Sequence, residues 1–63
     1  MKALVLSNKY EFHKFKVGST IEVNTRPSYY SEGRKPVFLA YGLNDSGFHI
    51  DGKIYQNEFE IIL

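Results

Sequence analysis

The segment that decides the fold is FKVGSTIEV, residues Phe15 to Val23, in which a basic and apolar lead-in is followed by a glycine and then by alternating residues. Ile21 and Val23 fall on one face of an extended chain and Glu22 on the other, because successive side chains of a strand point to opposite sides. Gly18 lies just before this alternation, where a tight reversal calls for positive φ. The segment therefore predicts a turn that leads into a half-buried β-strand.

Four further segments have the composition of strands. They are KALVLS (2–7), PVFLAYG (36–42), the runs FHI and KIY on either side of Asp51-Gly52, and FEIIL (59–63). The unbroken apolar run of PVFLAYG predicts a bent strand that contacts the core on both sides. Asp51-Gly52 matches the two-residue turn that closes hairpins, so Gly52, like Gly18, is predicted to have positive φ. No segment has the apolar spacing of a long helix, and the sequence therefore predicts an all-β fold of five short antiparallel strands.

The apolar positions of these segments give a predicted core. In FEIIL the alternation places Phe59, Ile61 and Leu63 on one face. The predicted core residues are Leu4, Leu6, Phe15, Ile21, Val23, Leu39, Ile54, Phe59 and Ile61.

Length and composition predict one small domain that spans residues 1–63. The chain has 43% hydrophobic and 16% aromatic residues, which is enough for a compact core, and it has no cysteine. Stability must then come from apolar packing or from a partner subunit rather than from disulfides. No apolar run is long enough for a membrane span or a signal peptide. We therefore expect a soluble protein that does not bind membranes, with the cytoplasm as its location.

Charge argues against a dedicated binder of duplex DNA. Residues 1–35 hold seven basic and three acidic residues, a net charge of +4, and residues 36–63 hold one basic and four acidic residues, a net charge of −3. In a small barrel the two halves interleave, so we expect no strongly basic face of the kind that neutralises phosphates.

The order and spacing of the strand segments resemble those of the SH3 domain and of SH3-like barrels. In that family an "AL" first strand is followed by a variable loop, a segment with glycine before alternating residues, a strand pair, and a one-turn 3₁₀ segment before the last strand. The resemblance implies a small five-stranded antiparallel barrel. The positions that match the family pattern are Ala3, Leu4, Phe15, Gly18, Ile21, Val23, Gly52, Ile54, Asn57, Phe59 and Ile62.

The aromatic groove with which SH3 domains bind proline-rich peptides has no counterpart in this sequence. Residues 5–7 are Val-Leu-Ser where the family has tyrosines, Tyr55 replaces a proline, Glu58 replaces a tyrosine, and the chain has no tryptophan. The resemblance therefore implies a scaffold whose binding face has to be found from other residues.

The sequence offers little chemistry for catalysis. His13 and His49 are its only histidines, and it contains no paired nucleophile and base, no phosphate-binding loop and no spaced set of metal ligands. We expect no catalytic residues, no metal and no cofactor. His49 alternates with Phe48 and Ile50, which predicts a strand position that faces solvent or the edge of the core. The predicted turn at Asp51-Gly52 would set it opposite Ile54.

The candidate binding segment is NTRPSYYSEGRKP, residues 24–36. Two prolines, a glycine, two adjacent tyrosines and three cations predict a long exposed loop. Tyrosine and arginine are enriched at the binding hot spots of protein interfaces. The alternative is that one tyrosine covers the open end of the barrel while the cations are solvated. The predicted partner-binding residues are Arg26, Tyr29, Tyr30, Arg34 and Lys35.

A second candidate surface is NKYEFHKFK, residues 8–16, which the SH3 resemblance assigns to the first long loop. Aromatic residues alternate there with lysines, and Phe15 is assigned to the core. Tyr10 and Phe12 remain as secondary candidates for partner binding.

Two classes of function fit these features. The first is a non-enzymatic protein-interaction module, such as a small regulator or inhibitor of the kind that phages and mobile elements direct against host machinery. The second is a weak nucleic-acid binder that stacks bases on Tyr29 and Tyr30 while Arg26, Arg34 and Lys35 contact phosphates. The near-neutral charge favours a protein partner. A homodimer that forms through an edge strand or through the apolar EIIL end (60–63) also fits.

Overall fold

The structure is a computed structural model that describes residues 1–9 and 14–62. Its strands are β1 (Lys2–Val5), β2 (Thr20–Val23), β3 (Tyr29–Tyr30), β4 (Pro36–Leu43), β5 (His49–Tyr55) and β6 (Phe59–Ile61). A 3₁₀ turn, η1 (Gln56–Glu58), joins β5 to β6. The predicted all-β class and the predicted 3₁₀ turn before the last strand are confirmed. Within the described ranges there is no helix long and apolar enough to cross a membrane.

The six strands form one open antiparallel sheet. β1 lies between β2 and β6, and β4 pairs along its length with β5, from Val37 opposite Tyr55 to Leu43 opposite His49. On the other edge of β4, β2 pairs with one end and β3 with the other. The sequence predicted five strands, and the sixth is the two-residue β3 inside the segment that was expected to be a loop.

The main core is formed by side chains from β1, β2, β4, β5 and β6 together with Phe15. The predicted core residues Phe15, Ile21, Val23, Ile54 and Phe59 are buried. Buried residues that the sequence did not single out are Ala3, Val5, Val37, Phe38, Ala40 and Glu58.

Four predicted core positions were wrong, and the strand register explains why. Leu6 is exposed and Leu4 is only half-buried, because β1 sets Ala3 opposite the buried Ile21 and so turns Ala3 and Val5 inward. A shift of one residue moves every side chain of a strand to the other face.

The same reasoning applies to β4 and β6. Phe38 and Ala40 point to the core, so Leu39 between them is exposed. Ile61 lies opposite Ala3, but β6 pairs only with β1 at the end of the sheet, and its side chain is exposed. Leu63, which was predicted to share its face, lies outside the described residues.

β4 is covered on both faces only where it begins. Val37 and Phe38 are consecutive and both buried, as the prediction of a strand with two covered faces requires, whereas Leu39 and Tyr41 are exposed further along. Phe38 packs edge-on against Phe59, with ring centroids 5.3 Å apart, inside the main core. Val37 lies outside that main cluster, so its cover comes from the opposite face.

Gly42 marks the closest approach between β2 and β4. It is buried, and a Cβ atom built on it would lie 3.0 Å from Cβ of Ile21 and still nearer to Cγ2 of the same side chain. Cβ atoms rarely come so close to other carbon atoms. Glycine is therefore required here for packing rather than for a special backbone conformation.

Gly18 has φ of 86°, which confirms the predicted turn before β2. The prediction for Gly52 was wrong: it lies within β5, opposite Ala40, and is not among the glycines with positive φ. The hairpin between β4 and β5 turns instead at Asn44–Phe48. As a consequence, His49 lies opposite Leu43 rather than Ile54.

The hairpin turns at Asn44–Phe48 because the side chain of Asn44 and the backbone form hydrogen bonds that stabilise this turn. The amide groups of Gly47 and Asn44 donate to the carbonyls of Asn44 and Phe48 at 3.0 and 2.8 Å. Oδ1 of Asn44 accepts from the backbone N–H groups of Ser46 and Phe48, both at 2.9 Å. Gly47 has φ of 86°, as expected for a type I turn that ends in a glycine bulge. Asp51-Gly52 offers no comparable side-chain cap and is absorbed into the longer strand.

Outside the sheet core, one exposed ion pair joins β2 to the start of β1. The amino group of Met1 donates to Oε2 of Glu22 at 2.8 Å and to the carbonyl of Val23 at 3.1 Å. The hydrogen bond to this ammonium group, together with its charge, holds the pKa of Glu22 below its usual value.

Candidate functional site

The candidate segment 24–36 folds into a hairpin rather than an irregular loop. Tyr29 and Tyr30 form β3 and lie opposite Val37 and Pro36 of β4. The N–H of Ser28 donates to the carbonyl of Val37 at 2.7 Å and so anchors the start of the hairpin. Two of the predicted binding residues are thereby held on a strand, which fixes the direction of their side chains.

The tip of this hairpin is a tight turn at Ser31–Arg34. The N–H of Arg34 donates to the carbonyl of Ser31 at 2.8 Å, and the N–H of Ser31 donates to the carbonyl of Lys35 at 2.9 Å. Gly33 has φ of 79°, as the third residue of a type II turn requires. The turn therefore has regular geometry as far as Gly33.

Arg34 follows with φ of 60°. Among the described residues it is the only non-glycine residue in the left-handed region. An L-residue with a long side chain adopts this conformation at a cost of about 1 kcal/mol. The backbone at the tip of the hairpin is therefore strained at a residue that was predicted to bind a partner.

Tyr29 has a structural role in the hairpin. Its cross-strand partner Val37 is fully buried, and on the other side of Val37 lies Tyr55 of β5. Cross-strand partners share a face of the sheet, so the two tyrosine rings flank the valine. Nζ of Lys53 lies 5.2 Å from the ring centroid of Tyr29. Tyr29 is 39% exposed, as expected of a binding residue, and the rest of its side chain packs beside the buried Val37.

Tyr30 and Arg34 form the most exposed part of the candidate site. Tyr30 is 62% exposed, and its ring points to the face opposite to that of Tyr29 because the two residues are adjacent in β3. Tyr30 and Arg34 line one shallow depression at the tip of the hairpin. The structure thus brings together two of the five predicted binding residues.

The other predicted residues lie around this pair. Lys35 is exposed, and its Nζ lies 6.0 Å from the ring centroid of Tyr55. Arg26 is exposed in the bend that precedes β3. Tyr10 and Phe12, the secondary candidates, lie outside the described residues, as does His13.

A second depression lies between the hairpin and η1. It is lined by Lys35, Pro36, Tyr55, Gln56 and Asn57. Sequence reasoning missed Lys53 and Tyr55, since they become neighbours of the hairpin only through the pairing of β4 with β5. The alternation in KIY could have placed these two side chains on one face, but it could not have identified the opposite strand.

His49 is the histidine that lies within the described ranges. His49 is exposed at the start of β5 and stacks on Tyr41, with ring centroids 5.5 Å apart and an interplanar angle of 23°. In the ranges 1–9 and 14–62, no three His, Asp or Glu side chains are grouped so that they could hold a metal ion. The exposed tyrosines and cations of the hairpin are therefore the main candidate site.

Comparison with protein-family models, with curated proteins and with solved structures gives no match. The function is therefore inferred from the residues of the hairpin and its surroundings.

Proposed function

We propose that the chain is an SH3-like barrel that acts as a small non-enzymatic protein-interaction module, and that it binds a protein partner through the tip of the β3–β4 hairpin. The order of its elements supports the first part. A turn before β2, a strand pair formed by β4 and β5, and a 3₁₀ turn before β6 follow the family pattern. β1 pairs with both β2 and β6, so the last strand lies beside the first in the open sheet.

The observation that carries the binding proposal is the pair Tyr30 and Arg34. A tyrosine that is 62% exposed lies beside an arginine whose backbone is held in a disfavoured conformation by a hydrogen-bonded turn. Tyrosine gains a large contact area at low entropic cost, and the guanidinium group adds directed hydrogen bonds. Backbone strain of this kind is concentrated at functional sites.

A module of this size would act by occupying a surface of a larger assembly. This fits a regulator or an inhibitor of the kind that phages and mobile elements direct against host machinery.

Weak nucleic-acid binding is the second candidate, because Lys35 and Lys53 lie beside tyrosine rings. Base stacking needs free ring faces, and Lys53 lies over a face of Tyr29, which leaves Tyr30 as the most exposed ring of the hairpin. With a net charge of +1, the chain also has little capacity to hold a polyanion. A protein partner is the better supported of the two.

Affinity capture from a lysate of the cells that produce the protein tests the proposal. Wild type, Tyr30→Ala and Arg34→Ala are compared, with Lys16→Ala as a matched control at the opposite end of β4, where the N–H of Lys16 bonds the carbonyl of Leu43. Tyr30→Ala and Arg34→Ala should keep the melting temperature and weaken capture of a specific protein about 10- to 100-fold. Lys16→Ala should leave capture unchanged.

Retention on heparin and on single-stranded DNA across a salt gradient separates the two candidates. A protein-binding module should elute at low salt, whereas phosphate-driven binding would be strong and would fall steeply with salt. Capture that survives both hairpin variants would contradict the proposed site.

A further inference from the structure

The exposed cations of the hairpin segment 24–36 and of the neighbouring β5 outnumber the exposed acids of the same two segments. The cations nearest to the hairpin are Arg26, Arg34, Lys35 and Lys53, and all four are exposed. The exposed acids of this region are Glu32, in the hairpin turn, and Asp51, which lies two residues before Lys53 and opposite Tyr41. The excess of cations on this face contrasts with a net charge of +1 for the whole chain.

Glu58, the third acid of this region, does not oppose these cations at the surface. Its side chain is buried, and its Oε1 accepts a hydrogen bond from the N–H of Tyr55 at 3.3 Å. The carboxylate of this last residue of η1 is thus bound to the backbone below the surface. The outer surface between the hairpin and η1 keeps its positive character.

Two lysines of this surface lie beside aromatic rings. Nζ of Lys53 is 5.2 Å from the ring centroid of Tyr29, and Nζ of Lys35 is 6.0 Å from that of Tyr55. Such a position packs the aliphatic stem of a lysine against apolar surface and leaves its ammonium group in water. Both ammonium groups are therefore available to a ligand beside the two tyrosines that flank Val37.

The second depression is lined by both apolar and polar groups, and Lys35 is one of its lining residues. Pro36 and Tyr55 supply apolar surface, while Gln56 and Asn57 of η1 supply side-chain amides that can donate to a carbonyl or a carboxylate. This combination fits an apolar side chain that is flanked by acidic groups. A bare phosphate chain would leave the apolar surface of Pro36 and Tyr55 without a contact.

We propose that this hairpin–η1 surface, formed by Lys35, Pro36, Lys53, Tyr55, Gln56 and Asn57, binds an acidic segment of the protein partner. Carboxylates of the segment pair with Lys35 and Lys53, and an apolar side chain of the segment lies on Pro36 and Tyr55. The inference rests on the proposed function, since it names the chemistry of the partner that the hairpin tip recognises. Charge complementarity of this kind selects partners and steers association.

The test is an NMR titration of the whole chain with a short peptide in which Glu alternates with Phe. A peptide with Gln in place of Glu is the matched neutral probe. The acidic peptide should shift the amide signals of Lys35, Lys53 and Tyr55 and bind more weakly as salt is added, because exposed charges are screened. Lys35→Gln and Lys53→Gln should each weaken binding roughly three- to tenfold. Lys16→Gln, the same change at the other end of β4, should have no effect.

Three outcomes would overturn the inference: equal binding of the neutral peptide, signal shifts confined to another surface, or tighter binding of a single-stranded oligonucleotide of the same charge. The two proposals fail separately. If Tyr30→Ala abolishes capture of the partner but Lys35→Gln and Lys53→Gln leave capture unchanged, the proposed interaction module is supported and the proposed acidic ligand is wrong. If the acidic peptide binds through Lys35 while Tyr30→Ala leaves capture intact, the hairpin tip is wrong as the site.

Discussion

β4 belongs to two hairpins that differ in how well their residues suit their geometry. Towards β5 it forms seven register pairs, and the turn at Asn44–Phe48 has a glycine where φ is positive and a side-chain cap for two amides. Towards β3 it forms two pairs, and the turn places Arg34 where φ is positive. The turn of the β4–β5 hairpin thus has glycine at its position of positive φ, whereas the turn of the β3–β4 hairpin has Arg34 at such a position, which lowers stability. This difference is the one that the proposed binding role of the β3–β4 hairpin predicts.

The two hairpins also differ in how deeply their outer strands, β5 and β3, are buried. β5 supplies Ile54, which is fully buried in the main core, whereas both residues of β3 are exposed. The β3–β4 hairpin can therefore be altered or distorted at little cost to the rest of the fold. Binding segments generally lie in such regions of low local stability.

The largest expected effect tests the structural role of the β4–β5 hairpin. Ile54→Ala should lower the free energy of unfolding by about 2–5 kcal/mol, because it leaves a cavity in the centre of a small core. Tyr30→Ala should change it by less than about 0.5 kcal/mol, since the ring is largely exposed. Urea unfolding of the two variants measures both values, and similar losses would remove the distinction between the hairpins.

A smaller effect is expected from the contact between β4 and β2. Gly42→Ala should cost about 1–3 kcal/mol, because the added methyl group overlaps the side chain of Ile21. Tyr41→Phe, a change at the adjacent exposed position of the same strand, is the control and should unfold at nearly the wild-type temperature. If Gly42→Ala is as stable as wild type, the spacing of β2 and β4 described above is incorrect.

The turn of the β4–β5 hairpin should respond to loss of its glycine. Gly47→Ala places a side chain at φ of 86° and should cost about 1–2 kcal/mol, while the space around the position is open, so that only backbone strain is tested. Thermal unfolding followed by circular dichroism measures the change. An unchanged melting temperature would mean that the turn tolerates side chains and that the contrast with Arg34 has no energetic basis.

The smallest of these effects distinguishes the two tyrosines. Tyr29→Ala uncovers Val37 and should cost about 1 kcal/mol, more than Tyr30→Ala, because apolar area that Tyr29 now buries becomes exposed. Tyr29→Phe keeps the ring and should restore most of the stability. Equal melting temperatures for the two alanine variants would show that Tyr29 does not act as a cover.

The sequence predicted those parts of the fold in which the local pattern of apolar and polar residues itself shows which side chains point to the core. Ile21 and Val23 alternate with polar residues, so their inward orientation could be inferred without a partner strand. In KALVLS the four residues 3–6 are all apolar, and only the pairing with β2 decides that Ala3 and Val5, rather than Leu4 and Leu6, are buried.

The turns and the site show the same limit. Asp51-Gly52 was predicted to form the hairpin turn, but the turn lies at Asn44–Phe48, where the side chain of Asn44 accepts two backbone hydrogen bonds. Tyr29 and Tyr30 were predicted as equal members of the site, but adjacent strand residues point to opposite faces, and only the position of Val37 shows which of them packs. Lys53 joins the surface because β4 pairs with β3 on one edge and with β5 on the other, which the pattern within any one strand does not reveal.

The most direct test of the account is Arg34→Gly, measured in both unfolding and partner capture. Glycine adopts φ of 60° without strain, so the account predicts a free energy of unfolding that is unchanged or higher by up to about 1 kcal/mol, together with loss of capture because the guanidinium group is gone. This one variant would then be at least as stable as wild type and would no longer bind the partner. A clear loss of stability would contradict the strain at Arg34, and full capture of the partner would contradict its role in binding.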